Sequence, residues 1–149
     1  MSRRLFITLL VAGVAMRLVM LVQYDLVNGG EVDVYLADEG IVGLMGKHIL
    51  EGRALPVFFY GQHYLGALEA YLVALSFTLF GTNILAVRAA TLVVSLALLW
   101  LVYALGRRLC SQQAARWATA IVALGPMYFL QWNLKARGGF VEHVFLVLL

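Results

Sequence analysis

The sequence predicts an all-α fold, that of a polytopic helical membrane protein, and three observations predict it. Hydrophobic residues make up 63% of the chain and charged residues 13%, against about half and about a quarter in soluble globular domains. The apolar residues gather in windows near the roughly 17 to 25 residues that cross about 30 Å of hydrocarbon. Arg3, Arg4, Arg107, Arg108 and Arg116 flank those windows, where basic residues set orientation across a bilayer. Several spans follow from this pattern, not one anchor.

The charge pattern excludes some partners. A formal net charge of +3 is a weak nucleic-acid signal, and the signs are segregated: of eight acidic residues, all but Glu142 lie between Asp25 and Glu69. Membrane lipid, not nucleic acid, is the expected surrounding partner. Cys110 is the single cysteine, which excludes an internal disulfide. His48, His63 and His143 share no spacing that suggests metal ligation. No metal ligand is assigned, and the sequence leaves open whether a divalent ion serves as a cofactor.

The elements follow in order. A first span over 5–22 starts behind Arg3 and Arg4 and ends at Gln23-Tyr24-Asp25, which puts the N-terminus in the cytoplasm. A cleaved signal peptide is the competing reading, but hydrophobicity resumes after Arg17 and favours retention. Arg17 itself is expected to snorkel to the interface. An outer loop over 24–85 then carries turn signals at Asn28-Gly29-Gly30, Glu51-Gly52-Arg53 and Pro56. Within it a surface helix is expected over 39–51, with Asp38 as its N-cap.

The apolar stretch 64–80 just reaches spanning length but carries Gly66 and Glu69. At about 100° per residue, Gln62, Glu69 and Ser76 fall on one narrow polar stripe, as in a helix lying on the membrane surface. The arginines give an independent check. If 64–80 lies in the interface, a second span over 86–105 runs from outside to inside and delivers Arg107 and Arg108 to the cytoplasm. A third span over 117–133, kinked at Gly125-Pro126, returns the chain to the outer face. A second outer loop runs from Lys135 to Glu142, and a fourth span over 143–149 is cut off at Leu149. Residues 1–149 are therefore expected to be the N-terminal part of a longer transmembrane domain, inactive alone.

Under this topology Asp38 with Glu39, Arg88, and Lys135, Arg137 and Glu142 share the outer membrane face. Group transfer from a lipid-phosphate donor needs a base to deprotonate an acceptor hydroxyl and positive charge to stabilise the departing phosphate, and these sets supply both. The plainer reading of Asp38-Glu39 is a helix cap with a first-turn acid. Arg88 is harder to dismiss, because a charge a few residues into an apolar window is costly unless it is paired or reaches the interface. Lys135-Ala136-Arg137-Gly138-Gly139 forms a cationic turn whose glycines permit close approach of a ligand to the backbone. Glu69 either lines the same cavity or faces water. Tyr60, Gln62 and His63, with Tyr64, offer stacking and hydrogen bonds to a sugar, although aromatic residues also simply favour interfaces.

These segments resemble a known family. Ala37-Asp38-Glu39-Gly40, Glu51-Gly52-Arg53, Phe58-Phe59-Tyr60-Gly61-Gln62 and Leu65-Gly66-Ala67-Leu68-Glu69-Ala70 are similar to the opening of the dolichyl-phosphate-mannose protein mannosyltransferase-like glycosyltransferases. The likeness continues through Leu79-Phe80-Gly81, Ala86-Val87-Arg88, Gly106-Arg107-Arg108 and Lys135 to Glu142. It implies the GT-C type of membrane fold, with a long first outer loop carrying an acidic catalytic motif and interfacial helices. It implies an inverting transfer of one sugar from a polyprenyl- or dolichyl-phosphate donor to a protein, lipid or cell-envelope glycan acceptor. The implied setting is the plasma (inner) membrane, with the active site on the outer face. By position, Asp38 becomes the candidate base, assisted by Glu39, and Arg88 with Lys135 or Arg137 the candidate phosphate contacts. Many relatives carry a Lys-Pro-Pro sequence where this chain reads Tyr60-Gly61-Gln62-His63-Tyr64, so donor and acceptor specificity do not carry over. The alternative is a non-catalytic carrier-lipid flippase or transporter, which would set Arg17, Arg88 and Glu69 at different depths along a path.

Overall fold

The computed structural model describes residues 1–27 and 37–149, the side chains of 22–27 excepted. The expected turn at Asn28-Gly29-Gly30 lies outside these residues. The described chain is mostly helical. Its elements are α1 (Arg3–Val27), α2 (Ala37–Leu50), β1 (Phe58–Phe59), β2 (Gln62–Gly66), α3 (Leu68–Phe80), α4 (Ile84–Leu109), α5 (Gln112–Ala123), α6 (Met127–Trp132) and α7 (Phe140–Leu148).

At 1.5 Å per residue, the 25 residues of α1 and the 26 of α4 measure about 37 and 39 Å. Both are long and apolar enough to cross a bilayer. Helix α1 continues past Val22, since Gln23-Tyr24-Asp25 contains no helix breaker. Helix α4 begins at Ile84, not 86, because Asn83 caps it, its side chain accepting from Ala86 N at 2.9 Å. Arg107 and Arg108 occupy the last turn of α4, where cations complement the helix dipole.

Helix α2 begins at Ala37, so Asp38 and Glu39 both sit in its first turn and Asp38 is not the N-cap. The stretch expected as a helix over 64–80 divides in two, and the fold is accordingly not purely helical. Phe58-Phe59 pair antiparallel with Gln62–Gly66, Phe59 opposite Gln62 and Phe58 opposite Gly66, and Gly61 makes the reversal with φ +77°. Only from Leu68 does the chain turn helical. The expected polar stripe changes with it, because Gln62 lies on a strand. Glu69 and Ser76 do lie on α3, but both are buried, and Ser76 Oγ donates to Ala86 O at 2.6 Å. Both side chains are enclosed by the fold and do not form an outward-facing polar stripe.

Helix α2 packs on α3, and α3 on α4. Val42, Met45, Val73, Phe77, Ala86 and Val87 form the centre of this core, each 4% exposed or less. A second small cluster of Val94, Leu98 and Val141 joins α4 to α7.

The helix expected over 117–133 is broken, not kinked. Helix α5 stops at Ala123 and α6 starts after Pro126. Pro126 has no N–H to give to Val122 O, four residues earlier, so the helix ladder fails there. Arg17 repairs the break. It does not snorkel: it is 1% exposed, and its guanidinium donates to Ala123 O at 2.6 Å, Val122 O at 3.1 Å, Gly13 O at 3.0 Å and Ser95 Oγ at 3.1 Å. The orphan carbonyls of α5 thus receive a charged donor from α1. Gly13 makes this approach possible, since a Cβ there would lie 2.7 Å from Ala123 O.

Candidate functional site

The candidate site lies where the first turns of α2, α3 and α7 meet the start of α4. Glu39 is 1% and Arg88 2% exposed, and they face each other in a forked ion pair, Arg88 Nε donating to Oε1 at 3.2 Å and Nη2 to Oε2 at 3.3 Å. The charge expected to be costly in α4 is therefore paired with α2. Asp38, the preceding residue of the same turn, is half-buried. One turn beyond Arg88, Thr91 Oγ1 lies 2.9 Å from each of the carbonyl oxygens of Arg88 and Leu134. That contact fixes the 134–139 segment against α4. Lys135, itself 8% exposed, then shares a small cavity with Arg88, lined further by Met20, Leu21, Gln131 and Leu134.

The rest of the turn is held from α3. Glu69 Oε2 accepts from Gly138 N at 2.6 Å and Gly139 N at 2.8 Å, and the N–H of Arg137 adds to the same cradle. Consecutive N–H groups converge on one anion because Gly138 and Gly139 take φ +82° and +99°, which L side chains rarely adopt. Gly138 also packs on the hairpin, with the site of a Cβ only 2.9 Å from Leu65 Cδ1. Burial, and then the nearby Glu142 carboxylate, push the Glu69 carboxyl upward against the opposing effect of those backbone donors.

Residues 66–147 match the family described as dolichyl-phosphate-mannose-protein mannosyltransferase, just over half of the chain. The chain belongs to this family. Membership points to membrane glycosyltransferase activity, with a lipid-phosphate sugar donor and an acceptor. No curated protein and no solved structure matches the chain. The segment matched to the mannosyltransferase family contains Glu69, Arg88, Lys135, Arg137 and Glu142, whereas Asp38 and Glu39 precede it.

Of the site residues expected from the sequence, the fold joins Arg88 to Glu39 in the fork and to Lys135 around one small cavity, and Asp38 precedes Glu39 in the first turn of α2. Glu69 and Glu142 share a second locus on the other side of the glycine turn. Arg137 leaves the group, its guanidinium lying over the Trp132 ring at 4.0 Å. Tyr60, Gln62 and His63 belong to the hairpin: Tyr60 Oη and His48 Nδ1 share a hydrogen bond of 3.1 Å, and exposed His63 meets the Phe58 ring edge-on. Among the described residues no hydrogen bond joins these three to the Glu39–Arg88 pair. Sequence reasoning missed Thr91, and an isolated threonine inside an apolar helix offered no signal. It also missed the fork between Glu39 and Arg88, 49 residues apart.

Proposed function

We propose that this mannosyltransferase-family chain works in a multi-pass protein of the plasma (inner) membrane and transfers one sugar, with inversion, from a polyprenyl- or dolichyl-phosphate carrier to a hydroxyl of a protein, lipid or glycan acceptor. The N-terminus is cytoplasmic and the site opens at the outer face. Asp38 is the general base. It takes the proton of the acceptor hydroxyl as that oxygen bonds to the anomeric carbon. The bond from that carbon to the carrier phosphate breaks, and the carrier leaves as its phosphate monoester. Arg88 and Lys135 stabilise the charge that develops on the leaving phosphate.

The observation that carries this reading is the buried Glu39–Arg88 fork. It ties the first turn of α2, and Asp38 with it, to the cavity that Arg88 and Lys135 line. Glu39 therefore acts as a positioning residue: its carboxylate is engaged by Arg88 and fixes both the cation and the turn carrying the base.

The test supplies labelled polyprenyl-phosphate sugars to membranes containing the full-length protein and compares wild type with Asp38→Asn. Loss of about two decades of rate at normal expression, the range for a positioned general base, supports Asp38 in that role. Equal transfer by both proteins moves the base elsewhere. No transfer by wild type from any donor offered would favour the transporter reading.

A further inference from the structure

Three buried carboxylate oxygens near one glycine turn have no hydrogen-bond donor among the described residues. Glu69 is 2% and Glu142 3% exposed. Glu69 Oε2 is held by Gly138 N and Gly139 N, but Glu69 Oε1 and both carboxylate oxygens of Glu142 have no hydrogen-bond partner among the described residues. The two side chains approach the same glycine turn, with Glu142 Oε2 4.0 Å from where a Cβ on Gly139 would lie. Each stands in the first turn of its helix, α3 or α7. The helix dipoles offset part of this charge, but not two carboxylates. Nor does the segment 22–36 bring a cation, because it contains no Lys, Arg or His. Arg137, the nearest basic residue in sequence to the glycines, has its guanidinium over Trp132.

A buried carboxylate without donors or a counter-ion is strongly disfavoured, and among the described residues no group offers either to these oxygens, which leaves a proton or a cation to complete the locus. A proton shared between Glu69 Oε1 and one oxygen of Glu142 serves two of the three oxygens and leaves the third without a donor. A divalent cation takes all three, with Glu142 bidentate and Glu69 monodentate. Oxygen-only ligation selects the hard ions, of the magnesium, manganese and calcium class, which commonly keep waters as their remaining ligands. Among the described residues no His or Cys joins the two glutamates to make a site of another class. The N–H groups on Glu69 Oε2 orient Oε1, as an outer shell orients a ligand.

We propose that Glu69 and Glu142 bind one divalent cation of this hard class where the N-termini of α3 and α7 meet. This departs from the expectation that no residue ligates a metal, which rested on spacing along the chain. The two glutamates are 73 positions apart, and only the fold brings them together.

The test titrates Mn2+ into the purified full-length protein in detergent and follows free Mn2+ by electron paramagnetic resonance. The readout does not depend on sugar transfer, so it stands or falls separately from the reaction proposed above. The expected result is one Mn2+ per chain, displaced by Mg2+ or Ca2+. Affinity should fall at least about tenfold in Glu142→Gln and recover in part in Glu142→Asp. The surface control Glu51→Gln should bind like wild type, and helix content by circular dichroism should be equal throughout. Absence of stoichiometric Mn2+ binding, or binding that Glu142→Gln leaves unchanged, overturns the proposal. So does an infrared band of a protonated carboxyl in wild type, at saturating Mn2+, that disappears in Glu142→Gln.

Discussion

Arg17 donates to the carbonyl oxygen of Ala123 across 2.6 Å, although 106 positions separate them in sequence. The contact gives the broken end of α5 a donor that Pro126 cannot supply. Replacing Arg17 with Met strips donors from Val122 O, Ala123 O and Gly13 O and removes the partner of Ser95. With about 1 kcal/mol or more for each buried group left unsatisfied, the loss should reach roughly 3 kcal/mol. It should appear as a lower Tm in detergent, with Arg17→Lys recovering only part, because a single ammonium cannot reach the same set of oxygens.

The fork between Glu39 and Arg88 predicts strong non-additivity. Removing one partner, as Glu39→Gln or Arg88→Met, leaves the other buried and uncompensated and should cost about 3 to 5 kcal/mol. The double variant should be less destabilised than the sum of the singles by at least about 1.5 kcal/mol, measured as a double-mutant cycle in denaturant. Simple addition of the two losses would show that the pair does not form.

Gly138→Ala tests the turn. The substitution places a Cβ 2.9 Å from Leu65 Cδ1 at φ +82°, a backbone region that costs an L residue about 1 to 2 kcal/mol. The turn should shift, carrying Lys135 away from Arg88. In the transfer assay this should raise the KM for the lipid-phosphate donor several-fold more than it lowers kcat. A kcat effect alone would count against Lys135 as a donor contact.

The expectation that the stretch over 64–80 lies on the membrane surface can be tested by direct labelling. In a Cys110→Ser background, which removes the single exposed thiol, a cysteine at the exposed position Thr82 should react with an impermeant reagent added from outside. Labelling only after permeabilisation would mean that α3 crosses the bilayer, and would put the turn after Arg107 and Arg108 outside.

Much of the helical pattern was legible because it rests on composition and on local signals. The long apolar runs of α1 and α4 and the interruption at Gly125-Pro126 act within a few residues of themselves, whereas the cap at Asn83, equally local, was passed over and the span was started two residues late. The β1–β2 hairpin was not legible: Tyr64 and Leu65 continue an apolar run into α3, and periodicity over so short a stretch does not separate strand from helix. The fate of Arg17 was hidden for another reason. Snorkelling and burial both follow from one arginine in an apolar window, and the choice between them depends on carbonyls released by a proline far downstream.

In the site, residue types were legible and partnerships were not. Glu39, Arg88, Lys135, Glu69 and Glu142 stand out singly, as charges near or inside apolar windows. That Glu39 would engage Arg88, while Glu69 engaged a backbone turn, depends on how α2, α3 and α7 assemble. Linear spacing carries no record of that.

The span between Arg17 and Ala123 also has a meaning in time. At about 5 to 20 residues per second, roughly 5 to 20 s separate the synthesis of the arginine from that of the carbonyls it will serve. During that interval α1 carries a guanidinium whose final partners on α5 do not yet exist, so it must be kept hydrated or held at the membrane edge. The Arg17 side chain therefore settles late, although it is made early, and the arrival of α5 is the event that draws it in.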